Sequence, residues 1–297
     1  MSATAVAAGR TNTPTLRAAL EFAQSRLAAA LPSAFDSRAE QYREALALLR
    51  FAAGLSEAQI LANGAGTLEA GAWAQYRDIV ERRAAGEPFA YIECRRGFHA
   101  LDLHVDPSVL IPRPETEIIV DTVLARSPEN AFSVIDLGTG SGAVALGIAH
   151  ARPEARVTAV DISAAALAVA RGNAAALGAT IEFVESDWFA APALRQYDFI
   201  CCNPPYVRSD DPHLHDLRFE PRLALDGGRD GLREIRRVLA AAPGHLNAGG
   251  SVVIEHGYDQ ADAVVRIAEA ARLQHLETIR DLGGRERVSV FCIRETG

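Results

Sequence analysis

Hydrophobic residues in the first third of the chain recur at the spacing of α-helices. Leu20 and Leu27 belong to one such apolar face, and Leu46 and Leu49 belong to a second. Side chains three, four or seven residues apart lie on the same side of a helix, so each set predicts an amphipathic helix that buries one face. We therefore predict a helical domain over residues 1–85.

Polar residues mark where these helices begin and end. Asp36 and Ser37 are suited to cap a helix start, and Glu40 follows Ser37 by three residues as in a capping box. Gly54 is placed to end that helix, since glycine adopts the left-handed conformation found at helix ends.

The pattern changes between residues 86 and 116. Apolar and polar residues alternate around residues 98–105, which predicts a β-hairpin. In Ile-Pro-Arg-Pro-Glu-Thr-Glu, residues 111–117, each proline drives its predecessor into an extended conformation, so this stretch cannot begin as a helix. We interpret residues 86–116 as a hairpin and linker, and residues 117–297 as a second domain.

Strands and helices alternate along the second domain. Short apolar strands are predicted at residues 134–137, 157–160, 181–184, 197–202 and 252–255. Helices are predicted to follow the first and second of these strands, to stop at Gly178 in the second case, and to cover residues 232–242 and 261–273. A strand–turn–strand around Gly283 closes the chain. This alternation predicts an α/β fold, a mostly parallel Rossmann-like sheet with an antiparallel last strand.

Composition narrows the functions open to the chain. The net charge of −8 argues against a grip on duplex DNA through phosphates, which needs a basic surface, and no direct nucleic-acid partner is expected. No stretch approaches the ~20 apolar residues that span a bilayer, so no membrane association is expected. The four cysteines form no C-x-x-C pair and suit a reducing compartment, which predicts a cytoplasmic protein without a zinc site.

A glycine-rich loop follows the first strand of the second domain. It reads Asp-Leu-Gly-Thr-Gly-Ser-Gly at residues 136–142, and such a loop lets the backbone turn sharply and approach a ligand at the carboxyl end of a sheet. With Ala143 the spacing also satisfies a dinucleotide-binding pattern, so the loop alone does not separate NAD enzymes from methyltransferases. The candidate cofactor-binding residues here are Gly138, Thr139, Gly140, Ser141 and Gly142.

Residues that end the next two strands suit a nucleoside. Asp161 ends the second strand, where a carboxylate can accept hydrogen bonds from both ribose hydroxyls. Asp187 and Trp188 follow the third strand, where an aromatic ring can cover an adenine face and a carboxylate can accept from its exocyclic amine.

The segment Asn203-Pro204-Pro205-Tyr206 follows the fourth strand. Two successive prolines make it stiff, so the Asn203 side-chain oxygen and the Pro204 carbonyl can serve as fixed acceptors. Two acceptors that hold the N–H bonds of a planar amide or amine would aim its nitrogen at an electrophilic methyl group. We predict that Asn203, Pro204 and Tyr206 are catalytic, and that the whole tetrapeptide binds the substrate.

With these motifs the chain resembles the class I methyltransferases that act on planar nitrogen, and more narrowly the glutamine methyltransferases that modify peptide chain release factors. Further similarity lies in residues 111–117, 186–189, 218–221, 255–257 and 280–287, and extends from about residue 80 to the end. The resemblance implies methyl transfer from S-adenosylmethionine, leaving S-adenosylhomocysteine, to the glutamine of a Gly-Gly-Gln loop in class 1 release factors. It also implies that Asn203 contacts the cofactor and that the helical domain helps to recognise the substrate.

Other functions remain open at the level of sequence. A sister family methylates a ribosomal-protein glutamine and shares the tetrapeptide, and adenine-amine methylation of nucleic acid needs the same chemistry. An NAD-dependent dehydrogenase shares only the glycine loop, and a binding protein that has lost catalysis could keep the fold. His213 and His215 flank Leu214 in a polar segment, which we interpret as a loop and not as a metal site.

Overall fold

The chain divides into two compact units in a computed structural model that describes residues 13–31, 35, 37–191 and 194–294. The units are Met1–Glu93 and Cys94–Gly297. The division falls eight residues beyond the boundary drawn from the sequence at residue 85, because a short helix after Pro88 belongs to the first unit, where Ile92 joins its apolar core.

The first unit consists of helices. They are α1 (Leu16–Ala30), α2 (Arg38–Ala53), α3 (Glu57–Ala62), α4 (Ala70–Ala84) and α5 (Phe89–Glu93). The predicted cap at Ser37 is confirmed, since its hydroxyl accepts from the Glu40 amide, and Gly54 ends α2 with a φ of 64°. Asp36, the other predicted cap, lies outside the described residues.

Helices α1, α2 and α4 pack around one apolar core. Leu27, Leu48 and Leu49 are fully buried there, and so is Tyr76. The Tyr76 hydroxyl donates to the Ala45 carbonyl oxygen at 3.0 Å, so the phenol enters the core with its polar atom satisfied.

The second unit begins with the predicted hairpin. Strands β1 (Arg95–Phe98) and β2 (Leu101–His104) pair antiparallel. The chain then makes a turn in which the Val109 amide donates to the Asp106 carbonyl. It next forms a single 3₁₀ turn at Pro114–Thr116 and enters α6 (Glu117–Arg126). Proline is accepted at the first position of a helical turn because its missing N–H would have no partner there.

A seven-stranded sheet forms the centre of the second unit, in the order β5-β4-β3-β6-β7-β9-β8. The strands are β3 (Ser133–Leu137), β4 (Arg156–Asp161), β5 (Glu182–Glu185), β6 (Tyr197–Cys202), β7 (Leu246–Glu255), β8 (Leu273–Arg280) and β9 (Glu286–Ile293). Strands β3 to β7 run parallel, and β9 is antiparallel to both of its neighbours. The predicted α/β class and its antiparallel last strand are confirmed.

Helices cover both faces of this sheet. They are α6, α7 (Ala143–Ala151), α8 (Ala164–Leu177), α9 (Arg233–Ala241) and α10 (Ala261–Ala270). Each face has its own apolar core, and the adjacent Cys201 and Cys202 point into different ones. Within the described residues no helix is both long and apolar enough to cross a membrane.

Two predicted boundaries of the second domain differ from the observed ones by three residues or more. Strand β7 begins at Leu246, six residues before the predicted start, because the chain pairs with β6 at Tyr197 and resumes pairing beyond Gly249 after an irregularity. The last helix ends at Ala270, and Leu273 begins β8 instead of ending the helix, since its backbone pairs with Ile293.

The strand order determines where a ligand can bind. From β3 the chain proceeds outward through β4 to β5, and then returns to place β6 on the other side of β3. Such a reversal leaves a crevice at the carboxyl ends of the two central strands.

Candidate active site

A cavity of about 220 Å³ opens at the carboxyl ends of β3, β4 and β6. Nine of the twelve residues predicted for the site line it: Gly138, Thr139, Gly140, Ser141, Asp161, Asp187, Trp188, Asn203 and Pro205. Gly142, Pro204 and Tyr206 are not among the lining residues. The linker contributes Pro112, Arg113 and Thr116, and α9 contributes Arg233, Glu234 and Arg237.

Hydrogen bonds to the end of β4 hold the glycine loop in shape. The amides of Gly138 and Thr139 both donate to the Val160 carbonyl of β4, at 2.8 and 2.9 Å. The Gly140 amide donates to the Asp161 carboxylate at 2.9 Å. The loop is therefore tied to the end of β4 and not only to its own strand.

Asp136 supports the loop from below. Its carboxylate accepts from the Thr139 hydroxyl at 2.6 Å and from the Ala145 amide at 3.2 Å, at the start of α7. Burial raises the pKa of Asp136 to about 6, although these two hydrogen bonds oppose the shift. Asp136 thus lines the cavity as an acid that holds the loop in shape, and it binds a proton more readily than an ordinary aspartate does.

Gly142 has a packing function. It precedes α7 with a φ of 86°, and a Cβ at this position would lie 3.0 Å from the Leu146 Cδ1 and 3.3 Å from the Ala170 Cβ. A side chain would push α7 and α8 apart, and this explains why the position is a glycine although it lies outside the cavity lining.

Asp161 presents a carboxylate to the cavity. One oxygen accepts from the Gly140 amide and the other from the Ser163 amide, both at 2.9 Å. Burial raises the pKa of Asp161 despite these bonds. The Ile162 amide also acts on this carboxylate, and because a carboxylate offers about four acceptor positions, one remains for a ligand.

Trp188 is held rigidly beside the glycine loop. Its backbone φ is 52°, and its ring carbon Cζ3 lies 3.3 Å from the position a Cβ would take on Gly138. The indole N–H donates to Glu234 at 2.9 Å. Asp187 forms an ion pair with Arg237 at 2.7 Å, and Arg237 also binds Glu234. The indole therefore forms a fixed wall of the cavity.

Asn203 is connected to the linker and to the end of β7. Its amide nitrogen Nδ2 donates to the Thr116 hydroxyl at 3.0 Å, and that hydroxyl donates to Glu255 Oε2 at 2.7 Å. The Tyr206 hydroxyl donates to the other oxygen, Oε1, at 3.0 Å. Glu255 is completely buried, and burial raises its pKa to about 7.

Glu220 anchors the linker beside the cavity. Glu220 is almost completely buried and accepts from the Ile111 amide at 3.0 Å and from the Arg113 guanidinium at 2.5 Å. Arg113 lines the cavity, whereas Glu117 accepts from the His99 amide of the hairpin. The linker therefore forms one wall of the site instead of merely joining two parts of the chain.

Comparison with known proteins identifies the family. Residues 18–93 match the family model described as the PrmC N-terminal domain, and residues 114–216 match the methyltransferase small domain. A release factor glutamine methyltransferase from Bordetella pertussis is 46% identical over 83% of this chain and 93% of its own length. One from Burkholderia pseudomallei is also 46% identical, over 83% of this chain and 90% of its own length. The chain belongs to the release factor glutamine methyltransferase family.

The fold of this methyltransferase family member has a solved counterpart. A methyltransferase from Pyrococcus furiosus superposes with a TM-score of 0.52 at 18% identity, covering 71% of this chain and 95% of that one. At that identity the likeness concerns the fold alone, and it agrees with a class I methyltransferase sheet.

In this methyltransferase, residues 226–231 support residues 203–206, which we call the proline segment. Residues 226–231 were not singled out by the sequence analysis. The Val207 amide donates to the Leu225 carbonyl, and the Gly227 amide donates back to Val207. A Cβ on Gly227 would lie 2.6 Å from the Pro205 carbonyl oxygen, and one on Gly231 would lie 2.4 Å from that of Tyr206. Three glycines within these six residues were the feature of the sequence that could have indicated a close approach of two backbone segments.

Thr116 and Glu255 were also missed as functional residues. Both lie in motifs that carried the family resemblance, yet neither is close to Asn203 in sequence. The polar segment with His213 and His215 is a 3₁₀ turn in which His213 pairs with Asp211 at 2.7 Å. Across the described residues, no three His, Cys, Asp or Glu side chains are grouped as metal ligands would be.

Proposed function

We propose that this chain transfers a methyl group from S-adenosylmethionine to the side-chain amide nitrogen of the glutamine in the Gly-Gly-Gln loop of class 1 peptide chain release factors. The observation that carries the proposal is the similarity, at 46% identity over 83% of the chain, to proteins named release factor glutamine methyltransferase. The cavity supports the proposal because its lining contains residues suited to bind a nucleoside and also Asn203, which two prolines follow.

The residues of the cavity fit S-adenosylmethionine. Space is open above Gly140, since a Cβ there would meet nothing within 4 Å, while Asp161 retains an acceptor position for a ribose hydroxyl. We assign the cofactor to Gly138, Thr139, Gly140, Ser141, Asp161, Asp187, Trp188 and Asn203, with Gly142 shaping the loop. The bound cofactor supplies an electrophilic methyl group and leaves as S-adenosylhomocysteine.

Asn203 performs the central positioning step of this mechanism. An amide nitrogen is a poor nucleophile because its lone pair is delocalised into the carbonyl group. The Asn203 Oδ1 accepts one N–H of the substrate amide and the Pro204 carbonyl accepts the other, which localises electron density on nitrogen and aims it. Pro205 and Tyr206 flank the flat amide group. Transfer of the methyl group to nitrogen releases one N–H proton to solvent, and rate acceleration comes from positioning and from fixed dipoles.

Labelled methyl transfer tests the reaction and its target together. The enzyme is incubated with methyl-labelled S-adenosylmethionine and a class 1 release factor, with a release factor whose loop glutamine is changed to alanine as the control. We expect label on the unmodified factor only. Label on both factors would overturn the assigned glutamine. Cofactor binding without label on either factor would overturn the release-factor target and direct the search to ribosomal protein or nucleic acid.

A matched pair of variants tests the role of Asn203. We expect Asn203→Ala to abolish transfer while cofactor affinity, measured by calorimetry, is largely retained. The control is Asn247→Ala, because Asn247 makes a comparable side-chain hydrogen bond, 2.8 Å to Asp198, but lies outside the cavity lining. Equal loss of transfer and cofactor affinity in Asn203→Ala would mean that Asn203 serves the cofactor and not the substrate amide.

We further propose that the helical domain, residues 1–85 in the sequence-based division, helps to recognise the protein substrate. The match of residues 18–93 to the PrmC N-terminal domain supports this assignment. Hydrogen exchange on the full chain is expected to show release-factor-dependent protection within helices α1 to α4. Protection confined to residues beyond 94 would contradict it.

A further inference from the structure

Asn203 can serve as an acceptor for the substrate only if its side-chain amide faces the right way. Its two ends, Oδ1 and Nδ2, are nearly equal in size, so shape alone does not decide which one faces the cavity. The donor and acceptor requirements of its neighbours must select the orientation.

The neighbours of Asn203 form a one-way chain of hydrogen bonds. The Thr116 hydroxyl has one proton, and that proton is donated to Glu255 Oε2 at 2.7 Å. Towards Asn203 the hydroxyl can then only accept, so at 3.0 Å it selects Nδ2. Oδ1 is consequently left to face away from Thr116, as the proposed mechanism needs.

Burial makes this series of hydrogen bonds specific. Thr116 is 5% exposed and Glu255 is 0% exposed, so water does not offer alternative partners. The Tyr206 hydroxyl donates to Glu255 Oε1, which makes both carboxylate oxygens acceptors. A buried polar group that loses its partner is costly, and the arrangement therefore has one low-energy pattern while Glu255 is ionised.

Protonation of Glu255 would permit the opposite pattern. A protonated Oε2 can donate to Thr116, Thr116 can then donate to Asn203, and the amide would turn Oδ1 towards Thr116. Burial and the charge of Glu115 raise the pKa of Glu255, whereas hydrogen bonds from Thr116 and Tyr206 and the charge of Arg287 lower it. Burial raises the pKa of Tyr206 and of Cys202, so both are neutral at physiological pH.

We propose that Thr116 and Glu255 are positioning residues that orient the Asn203 amide, so that Oδ1 and not Nδ2 meets the substrate nitrogen. The inference rests on the proposed function, since it assigns an acceptor role to Asn203. It adds a requirement to that function: two residues that need not touch the substrate decide which end of the Asn203 side-chain amide faces it.

The test compares two buried threonines. Thr116→Val removes the hydroxyl of the relay, whereas Thr122→Val removes a hydroxyl that is equally buried, at 5% exposed, and donates only to the Ile118 carbonyl within α6. We expect Thr116→Val to lower kcat/KM for the release factor by ~100-fold, the scale of a misplaced reacting group. Thr122→Val is expected to keep wild-type transfer, and Thr116→Ser, which retains the hydroxyl, to recover most of it.

A pH profile separates orientation from simple support. Burial raises the pKa of Glu255 to about 7, so wild-type kcat/KM should fall as the pH drops through that region. Glu255→Gln cannot titrate, and Thr116→Val is uncoupled from Glu255, so both should lose this acid limb. A merely structural role would lower activity in these variants without removing the limb.

The outcomes distinguish this inference from the proposed function. Wild-type enzyme that places no label on a release factor would refute the proposed function itself. Active wild-type enzyme together with equal activity of Thr116→Val and Thr122→Val would refute the relay alone. An acid limb that persists in Glu255→Gln would also refute it. Cofactor affinity and melting temperature, measured for every variant, identify any that fail to fold. If Thr116→Val fails to fold, the pH profile of Glu255→Gln carries the test.

Discussion

Gly231 lies where the chain leaves no room for a side chain. Its φ is 73°, and an added Cβ would lie 2.4 Å from the Tyr206 carbonyl oxygen and 2.6 Å from the Gln260 amide nitrogen. The same amide donates to the Tyr206 carbonyl at 3.1 Å. Gly231→Ala therefore presses on the backbone of a residue that we assign to substrate binding.

The size of the effect follows from two contributions. A left-handed conformation costs a non-glycine residue about 1–2 kcal/mol. An ordinary contact would require the Cβ and the carbonyl oxygen to separate by about another ångström, and overpacking of this kind costs about 1–3 kcal/mol. We expect Gly231→Ala to lose about 2–5 kcal/mol of unfolding free energy as the sum of these contributions.

Gly249 provides a matched control. Its φ is 77°, yet a Cβ there would meet nothing within 4 Å. Gly249→Ala should therefore lose only the conformational contribution, about 1–2 kcal/mol. Denaturant unfolding of both variants isolates the contact with Tyr206 as the difference, about 1–3 kcal/mol.

Activity gives the second measurement. Gly231→Ala should lower kcat/KM for the release factor while cofactor affinity stays close to wild type, because the strain is applied to Tyr206 and not to the glycine loop after β3. Gly249→Ala should leave both unchanged. Equal destabilisation by the two variants, with equal activity, would refute the reasoning that residues 226–231 hold the proline segment in place.

Three further changes test the interior of the protein. Burial raises the pKa of Asp136 from 3.8 to about 6, so the folded chain binds the proton more tightly than the unfolded chain does. The free energy of unfolding of the wild type, measured in urea relative to Asp136→Asn, should therefore fall as the pH rises from about 4 to about 6. A difference that stays constant with pH would contradict this. Tyr76→Phe, which loses the bond to Ala45, should cost about 1 kcal/mol by chemical denaturation, and no change would show that the bond contributes nothing net. Glu220→Gln removes the buried charge paired with Arg113 and should cost about 1–2 kcal/mol, less than a fully buried pair because the Arg113 side chain is 33% exposed. A melting temperature equal to wild type would argue against the anchored linker.

Local patterns in the sequence were sufficient to predict most of the strands and helices of the second unit. The strand predicted at residues 197–202 has the bounds observed for β6, and the helix predicted to stop at Gly178 stops there. These features depend on alternation, capping and backbone freedom, which are properties of a few neighbouring residues. The glycine loop and the proline segment were visible for the same reason.

Errors arose where pairing between distant segments overrode the local pattern. Residues 246–251 contain two glycines and look like a loop, yet they begin β7 because β6 lies alongside. Leu273 continues an apolar helix pattern, yet it pairs with Ile293 as a strand. A strand is completed by its neighbour, and its limits depend on which neighbour the fold supplies.

The sequence by itself determined the α/β class, the order of most strands and helices, and the set of polar residues at the carboxyl ends of the strands. Each of these depends on the spacing of residues that are close together in the sequence. Only the tertiary structure decided that Thr116 and Glu255, 139 residues apart, share a hydrogen bond, that Asn203 joins them, and that Gly231 lies against Tyr206. Those contacts follow from the order of strands in the sheet. No local pattern specifies which distant carboxylate will be buried beside a given hydroxyl, so the orientation of the Asn203 amide is a property of the folded chain.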